Sequence, residues 1–361
     1  METESSSKTF SSLPASFAVG GLAVLVGLIK YGIDMWSGWP NMLAIAQNLA
    51  NPHVSSLLAG NQDYVLNSST SAILIGLVPN VTPATFVIWS VFLALVSLVL
   101  PFLCPQIRRS QGQAKLLFIF VVGGALLPLV LTWIGSYDPV SVIGLTLALG
   151  FRNSLVNLSG WILVGFNHFS IGAISLLLIA PLLWLIGNHG VRRVPWLKMA
   201  VGLAGLGLGN FFIMIIIGVW GGATSRWTVF RHYEPSFYLN NLIATMPIIV
   251  FSALGVGWLL LLDRRLIKSP VTKLLVAQGL AIPIVISLFA VDQSRVTAVL
   301  LFAPMLVFAS HSQELFSENE LKRMWNRWWL AAVIIPVPLF LLGSIDMVGW
   351  QSILHWRANF L

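Results

Sequence analysis

The feature that most constrains this chain is a series of nearly uncharged apolar blocks, such as ATFVIWSVFLALVSLVLPFLC (84–104) and WILVGFNHFSIGAISLLLIAPLLWLIG (161–187). About 20 such residues span a bilayer as a helix. Solid Leu/Ile/Val/Ala/Gly runs lack the alternation of a transmembrane β-barrel. Charged residues make up 9% of the chain and hydrophobic ones 57%, too little charge to cover a soluble domain of this length. The expected fold is therefore all-α and polytopic, a single transmembrane domain over 1–361 with no soluble domain.

Nine transmembrane helices are predicted, at 16–33, 84–104, 115–134, 161–187, 199–220, 241–262, 273–291, 296–311 and 328–345. The polar N-terminus has no charged leader, and the first apolar run has no small-residue cleavage site, so that run reads as a retained helix. The net charge of +8 is not a nucleic-acid footprint, because 14 of the 20 Lys and Arg residues fall in short clusters between alternate spans. Those clusters are Arg108, Arg109 and Lys115; Arg192, Arg193 and Lys198; Arg264, Arg265, Lys268 and Lys273; and Lys322, Arg323 and Arg327, together with Lys8. The positive-inside rule then places the N-terminus in the cytoplasm and, after an odd number of spans, the C-terminus outside. Cys104 is the single cysteine, so no intrachain disulfide can form.

Candidate chemistry concentrates in three outer segments, 34–83, 135–160 and 221–240. The first, from Asp34, carries Trp36 and Trp39 and the stretch NMLAIAQNLA, whose Met42, Leu43, Ile45, Ala46 and Leu49 lie near one helical face. That pattern predicts an interfacial helix with its apolar stripe in the headgroup region. A carboxylate at a span end carries a functional presumption, which singles out Asp34, and then Asp63. The second segment has an apolar middle, 139–151, too short to span and expected to be re-entrant or interfacial. It is flanked by Asp138 and Arg152, which could pair or face a cavity. Just beyond it, Asn167 and His168 sit inside an apolar run, where a histidine either bonds a neighbouring helix or serves proton transfer or binding. The third segment crowds Arg226, Arg231, His232, Tyr233 and Glu234 beside Trp227 and Phe230. Arginine forks suit phosphate, and aromatic rings suit a sugar or headgroup. Asp292 and Arg295 are spaced i and i+3, and a helical turn would place them side by side. Either they simply pair, or Asp292 orients Arg295 toward a diphosphate.

There is no P-loop, Rossmann glycine pattern, HExxH or cysteine cluster, and no G-x-S-x-G. A first span ending in Asp34, a long outer loop with short interfacial helices, and many spans with basic inner links resemble two groups of proteins. These are the GT-C class of polyprenyl-phosphate-sugar-dependent membrane glycosyltransferases and the polymerases of bacterial surface polysaccharides. The resemblance implies an enzyme of the bacterial inner membrane that takes a polyprenyl-phosphate- or diphosphate-linked glycan on the extracytoplasmic side. It implies Asp34 as catalytic acid or base with Asp63 second, and Arg152, Arg226, Arg231 and Arg295 as holders of lipid phosphate. A divalent cation on Asp34 and Asp63 could share that charge. Two other classes stay open. One is a transporter using His168, Asp138 and Arg152, and the other is a non-catalytic assembly subunit.

Overall fold

A computed structural model describes residues 13–50, 52, 66, 69–188, 196–220, 235–288, 290, 292–341 and 344–346. The described chain is helical apart from one short antiparallel ribbon, Leu339–Leu341 (β1) with Ser344–Asp346 (β2). Six helices are long and apolar enough to cross a membrane, or up to seven if one bent pair counts as a span. The helical membrane architecture thus stands, and the nine expected spans are not what the described residues give.

Chain order explains the layout. Helix α1 (Leu13–Tyr31) leads to the short helices α2 (Trp39–Gln47) and α3 (Thr70–Gly76). Helix α4 (Pro83–Leu103) starts at a capping box, in which Thr82 and Thr85 each accept the other's backbone N–H, with Pro83 in the first turn. The next pair, α5 (Gln111–Gly123) and α6 (Leu126–Thr132), is bent by 59° at Gly124. Helix α7 (Asp138–Gly150) is followed by α8 (Ser154–Asn188), α9 (Trp196–Val219), α10 (Pro235–Leu254) and α11 (Gly257–Leu261). Then come α12 (Pro270–Ser287), α13 (Gln293–Ser310), the short α14 (Ser312–Leu315) and α15 (Glu318–Ile334). Nearly all of α13 is buried, so it forms the axis of the bundle. An all-round apolar helix belongs in that position.

The helices run between two ends. At one, which we call the basic end, Arg109 lies 3.9 Å from Glu314, Gln113 donates to the Ser310 carbonyl at 2.6 Å, and Arg327 meets Asp263 at 3.1 Å. At the other, the aromatic end, Trp36, Trp39, Phe86, Trp133 and Tyr137 come together.

Several expectations are corrected. The short helix expected over 139–151 is present as α7, and of its two open placements the interfacial one falls away. The helix is buried along most of its length and runs from the aromatic end to the basic end, where Gly150 abuts Cys104 at the end of α4. Its 13 residues cover about 20 Å, and Asp138 and Arg152 therefore sit at opposite ends and cannot pair.

The apolar run 161–187 is not one straight span. At His168 the backbone is extended (φ −158°, ψ 83°) and α8 doubles back. The proof is packing: a Cβ on Gly202 would lie 2.8 Å from Leu176 and 3.4 Å from Trp161. Those two residues would be about 22 Å apart on a straight helix. The Phe166 carbonyl at the fold-back accepts a hydrogen bond from the Thr70 hydroxyl at 3.1 Å.

The last expected span, 328–345, is also revised. Its helix begins earlier, at Glu318, where Ser317 and Glu320 form a capping box, and it ends at Ile334 before the ribbon. The helix in the first outer segment is present as α2, but its apolar face does not meet lipid. Met42 and Ile45 are fully buried against Phe86, Tyr137, Ile213 and Ile217.

Two helix breaks meet inside the bundle. Gly123, at the bend between α5 and α6, gives its carbonyl to the Val256 N–H at 2.8 Å, just past Gly255 between α10 and α11. Gly255 has φ +52° and its Cα packs onto the Gly123 carbonyl, so only glycine suits it. The fully buried Lys30 ammonium donates to Ala332 O at 2.9 Å and Val122 O at 3.4 Å, answering carbonyls near the same break.

Candidate functional site at the aromatic end

The site begins with backbone pairing. Residues 34–36 run beside 131–134: Asp34 N donates to Leu131 O (3.0 Å), Ile134 N to Asp34 O (3.2 Å) and Trp36 N to Ile134 O (2.9 Å). This short parallel bridge holds the Asp34 carboxyl exposed at the rim, where one oxygen accepts the Met35 N–H at 2.8 Å. It also stacks Trp36 on Trp133, with centroids 5.9 Å apart, and sets Trp36 edge-on to Tyr137 at 6.2 Å. Gly135, at φ +87°, makes the turn that brings Tyr137 and Asp138 back beneath these rings. Asp138 then opens α7 with Pro139 behind it, an acid in the favourable first turn of a helix.

Arg295, on the first turn of α13, reaches into this corner and is 2% exposed. Its Nη1 lies 2.6 Å from Asp292 Oδ2 and its Nε 3.4 Å from Asp138 Oδ2, while Nη2 donates to the Tyr137 hydroxyl. The guanidinium also lies over two rings, 4.7 Å from the Tyr137 centroid and 5.2 Å from that of Trp133. One buried guanidinium thus faces the buried Asp138 and the partly exposed Asp292, an arrangement in which Asp138 above all depends on the shared cation. Asn167 closes the side by donating to Tyr137 O and Ser141 Oγ, both at 2.8 Å. His168 sits 5.9 Å from the Tyr137 ring, and its Nδ1 is within 3.1 Å of Ser170 Oγ and 3.5 Å of the Ile171 N–H. The imidazole therefore caps the returning arm of α8.

Several buried polar atoms here have no hydrogen-bond partner among the described residues: Asp138 Oδ1, Asp292 Oδ1, Asn167 Oδ1, Thr297 Oγ1 and both amide atoms of Gln293. Such groups cost about 1–3 kcal/mol each when unsatisfied, and all of them but the Gln293 amide nitrogen can accept a hydrogen bond.

Of the residues singled out from sequence, the structure brings Asp34, Asp138, Asn167, His168, Asp292 and Arg295 to this end. Arg152 is at the basic end, on the wall of a cavity shared with Lys198 and His311. Asp63, Arg226, Arg231, His232 and Glu234 lie outside the described residues. Among the described residues no group of three or more His, Cys, Asp or Glu could hold a metal ion. Sequence reasoning missed Asp138 as the partner of Arg295, and missed Tyr137 and Trp133 as its stacking faces. The signal was an acid placed directly before a proline at a helix start, in a turn made by glycine. Comparison of the chain with protein-family models, curated proteins and solved structures found no match.

Proposed function

We propose that the chain is a membrane-embedded transferase that uses a polyprenyl-phosphate- or diphosphate-linked sugar at the aromatic end, taken as extracytoplasmic from the charge distribution. The observation that supports this most is the placement of an exposed carboxylate, Asp34, two residues from the Trp36–Trp133–Tyr137 wall that stacks on buried Arg295. In this reading Asp34 takes the proton of an acceptor hydroxyl. The hydroxyl oxygen bonds to the anomeric carbon, the sugar–phosphate C–O bond breaks, and the lipid phosphate leaves with the electron pair. The aromatic wall supplies the sugar platform. Arg295 is already engaged by Asp138, Asp292 and Tyr137, so its part is to position that wall, and charge on the leaving phosphate falls to Arg226 and Arg231.

The test is transfer of a labelled sugar from purified polyprenyl-linked donors, with Asp34→Asn beside the wild type. Asp34→Asn should keep the thermal stabilisation given by donor and lose about 100-fold or more in transfer. Wild-type protein that releases no lipid phosphate, or an Asp34→Asn variant that turns over normally, overturns the reading. A transporter is the second reading, favoured by the facing helix breaks at Gly123 and Gly255. Solute flux into proteoliposomes without any sugar transfer would select it.

A further inference from the structure

At the basic end, α11 and the 3₁₀ turn Leu266–Lys268 face α15 across a pocket of about 630 Å³. Four arginines line it, Arg264, Arg265, Arg323 and Arg327, against two acids, Asp263 and Glu320. Both acids are already occupied. Asp263 takes Arg327 at 3.1 Å and the Arg265 N–H at 3.1 Å. Glu320 accepts the Ser317 N–H at 2.9 Å and the Ser317 hydroxyl at 2.8 Å, and these bonds hold its carboxyl below the usual range. Four guanidinium groups against two carboxylates leave two positive charges in excess. Gathering cations in one pocket raises their mutual repulsion. The positive-inside bias alone asks only that they be on this side, spread over the surface.

The pocket has a tail. Leu259 and Leu262 also line a second cavity of about 430 Å³ that is almost wholly apolar, walled by Pro247, Phe251, Trp258, Val276, Leu280 and Ile335. This groove is lined from Pro247 on α10, past the break at Gly255, to Leu262 at the end of α11. Trp258 donates its ring N–H to Val250 O at 2.7 Å, so nothing polar from that ring faces the groove.

We infer that these joined cavities bind one anionic phospholipid, its phosphate among the arginines and one acyl chain in the groove. Arginine forks match phosphate oxygens bidentately, and basic pockets between helices on the cytoplasmic side are suited to anionic headgroups. The site is at the opposite end of the bundle from Asp34 and stands independently of the transferase reading.

The experiment is thermal unfolding of the purified full chain in neutral detergent with added phosphatidylglycerol, with phosphatidylcholine of the same chains, and with soluble glycerol phosphate. Phosphatidylglycerol should raise the wild-type melting temperature, and the other two should not. Arg265→Gln/Arg323→Gln should lose at least half of that shift while melting near the wild type without lipid. Lys268→Gln/Lys322→Gln, which removes as much charge beside the pocket, should keep it. If the first double variant melts far below the wild type, native mass spectrometry of Arg323→Gln alone reads the retained lipid instead. Equal shifts from phosphatidylcholine or from glycerol phosphate, or equal loss in both double variants, overturn the proposal.

Discussion

At the scale of single residues, the Asp138–Arg295–Asp292 corner is where removing one partner costs most, because the shared cation is 2% exposed. Replacing Arg295 with Met leaves the buried Asp138 carboxyl without its cation beside the partly exposed Asp292, and removing one partner of a buried ion pair costs about 3–5 kcal/mol. Asp138→Asn keeps the shape and one acceptor, so it should cost less. Because the two share one contact at 3.4 Å, their effects should not add, and unfolding of both single variants and the double in mixed micelles should give a coupling energy above about 0.5 kcal/mol. Strict additivity would show that the pairing contributes nothing to folding.

At the scale of elements, the bundle depends on how closely α9 approaches the doubled α8. A Cβ on Gly205 would come within 2.6 Å of Trp161 Cβ, and one on Gly209 would press on the Ile162 carbonyl and the Phe166 amide 2.5 Å away. Gly209→Val should therefore destabilise by more than about 2 kcal/mol. Gly207→Ala, which meets nothing within 4 Å, should be neutral or slightly stabilising; thermal melting of the two variants checks both. The glycine-rich stretch of α9 already reads as a tight-packing surface in the sequence. The long apolar blocks likewise make α1, α4, α9 and α13 legible, as does the apolar face of α2. Helix α7 was legible as a short helix but not its burial, since 13 apolar residues fall short of a span and hydropathy cannot tell a flat helix from a buried one. The fold-back in α8 was hidden because one extended residue, His168, leaves the apolar run unbroken. The contact between Arg295 and Tyr137 joins positions 158 residues apart, which no local pattern encodes.

At the scale of the whole molecule, the two corrections agree with each other. Because α7 runs to the basic end and α8 starts there, Arg152 lies next to Lys198 and His311, at the end where the basic clusters of the described residues gather. The sidedness is testable because Cys104 is fully buried. Single cysteines at Arg152 and Lys198 should label with a membrane-impermeant reagent from one face, and a cysteine at Ser37 from the other. Labelling of Arg152→Cys and Ser37→Cys from the same face would refute this layout. The meeting of Gly123 with Gly255 has a mechanical consequence. Each broken helix supplies the partner for a backbone group that the other leaves open, so neither can straighten alone without stranding a polar atom in an apolar interior. The two interruptions behave as one latch: whatever work this bundle does, α5–α6 and α10–α11 shift together or stay still.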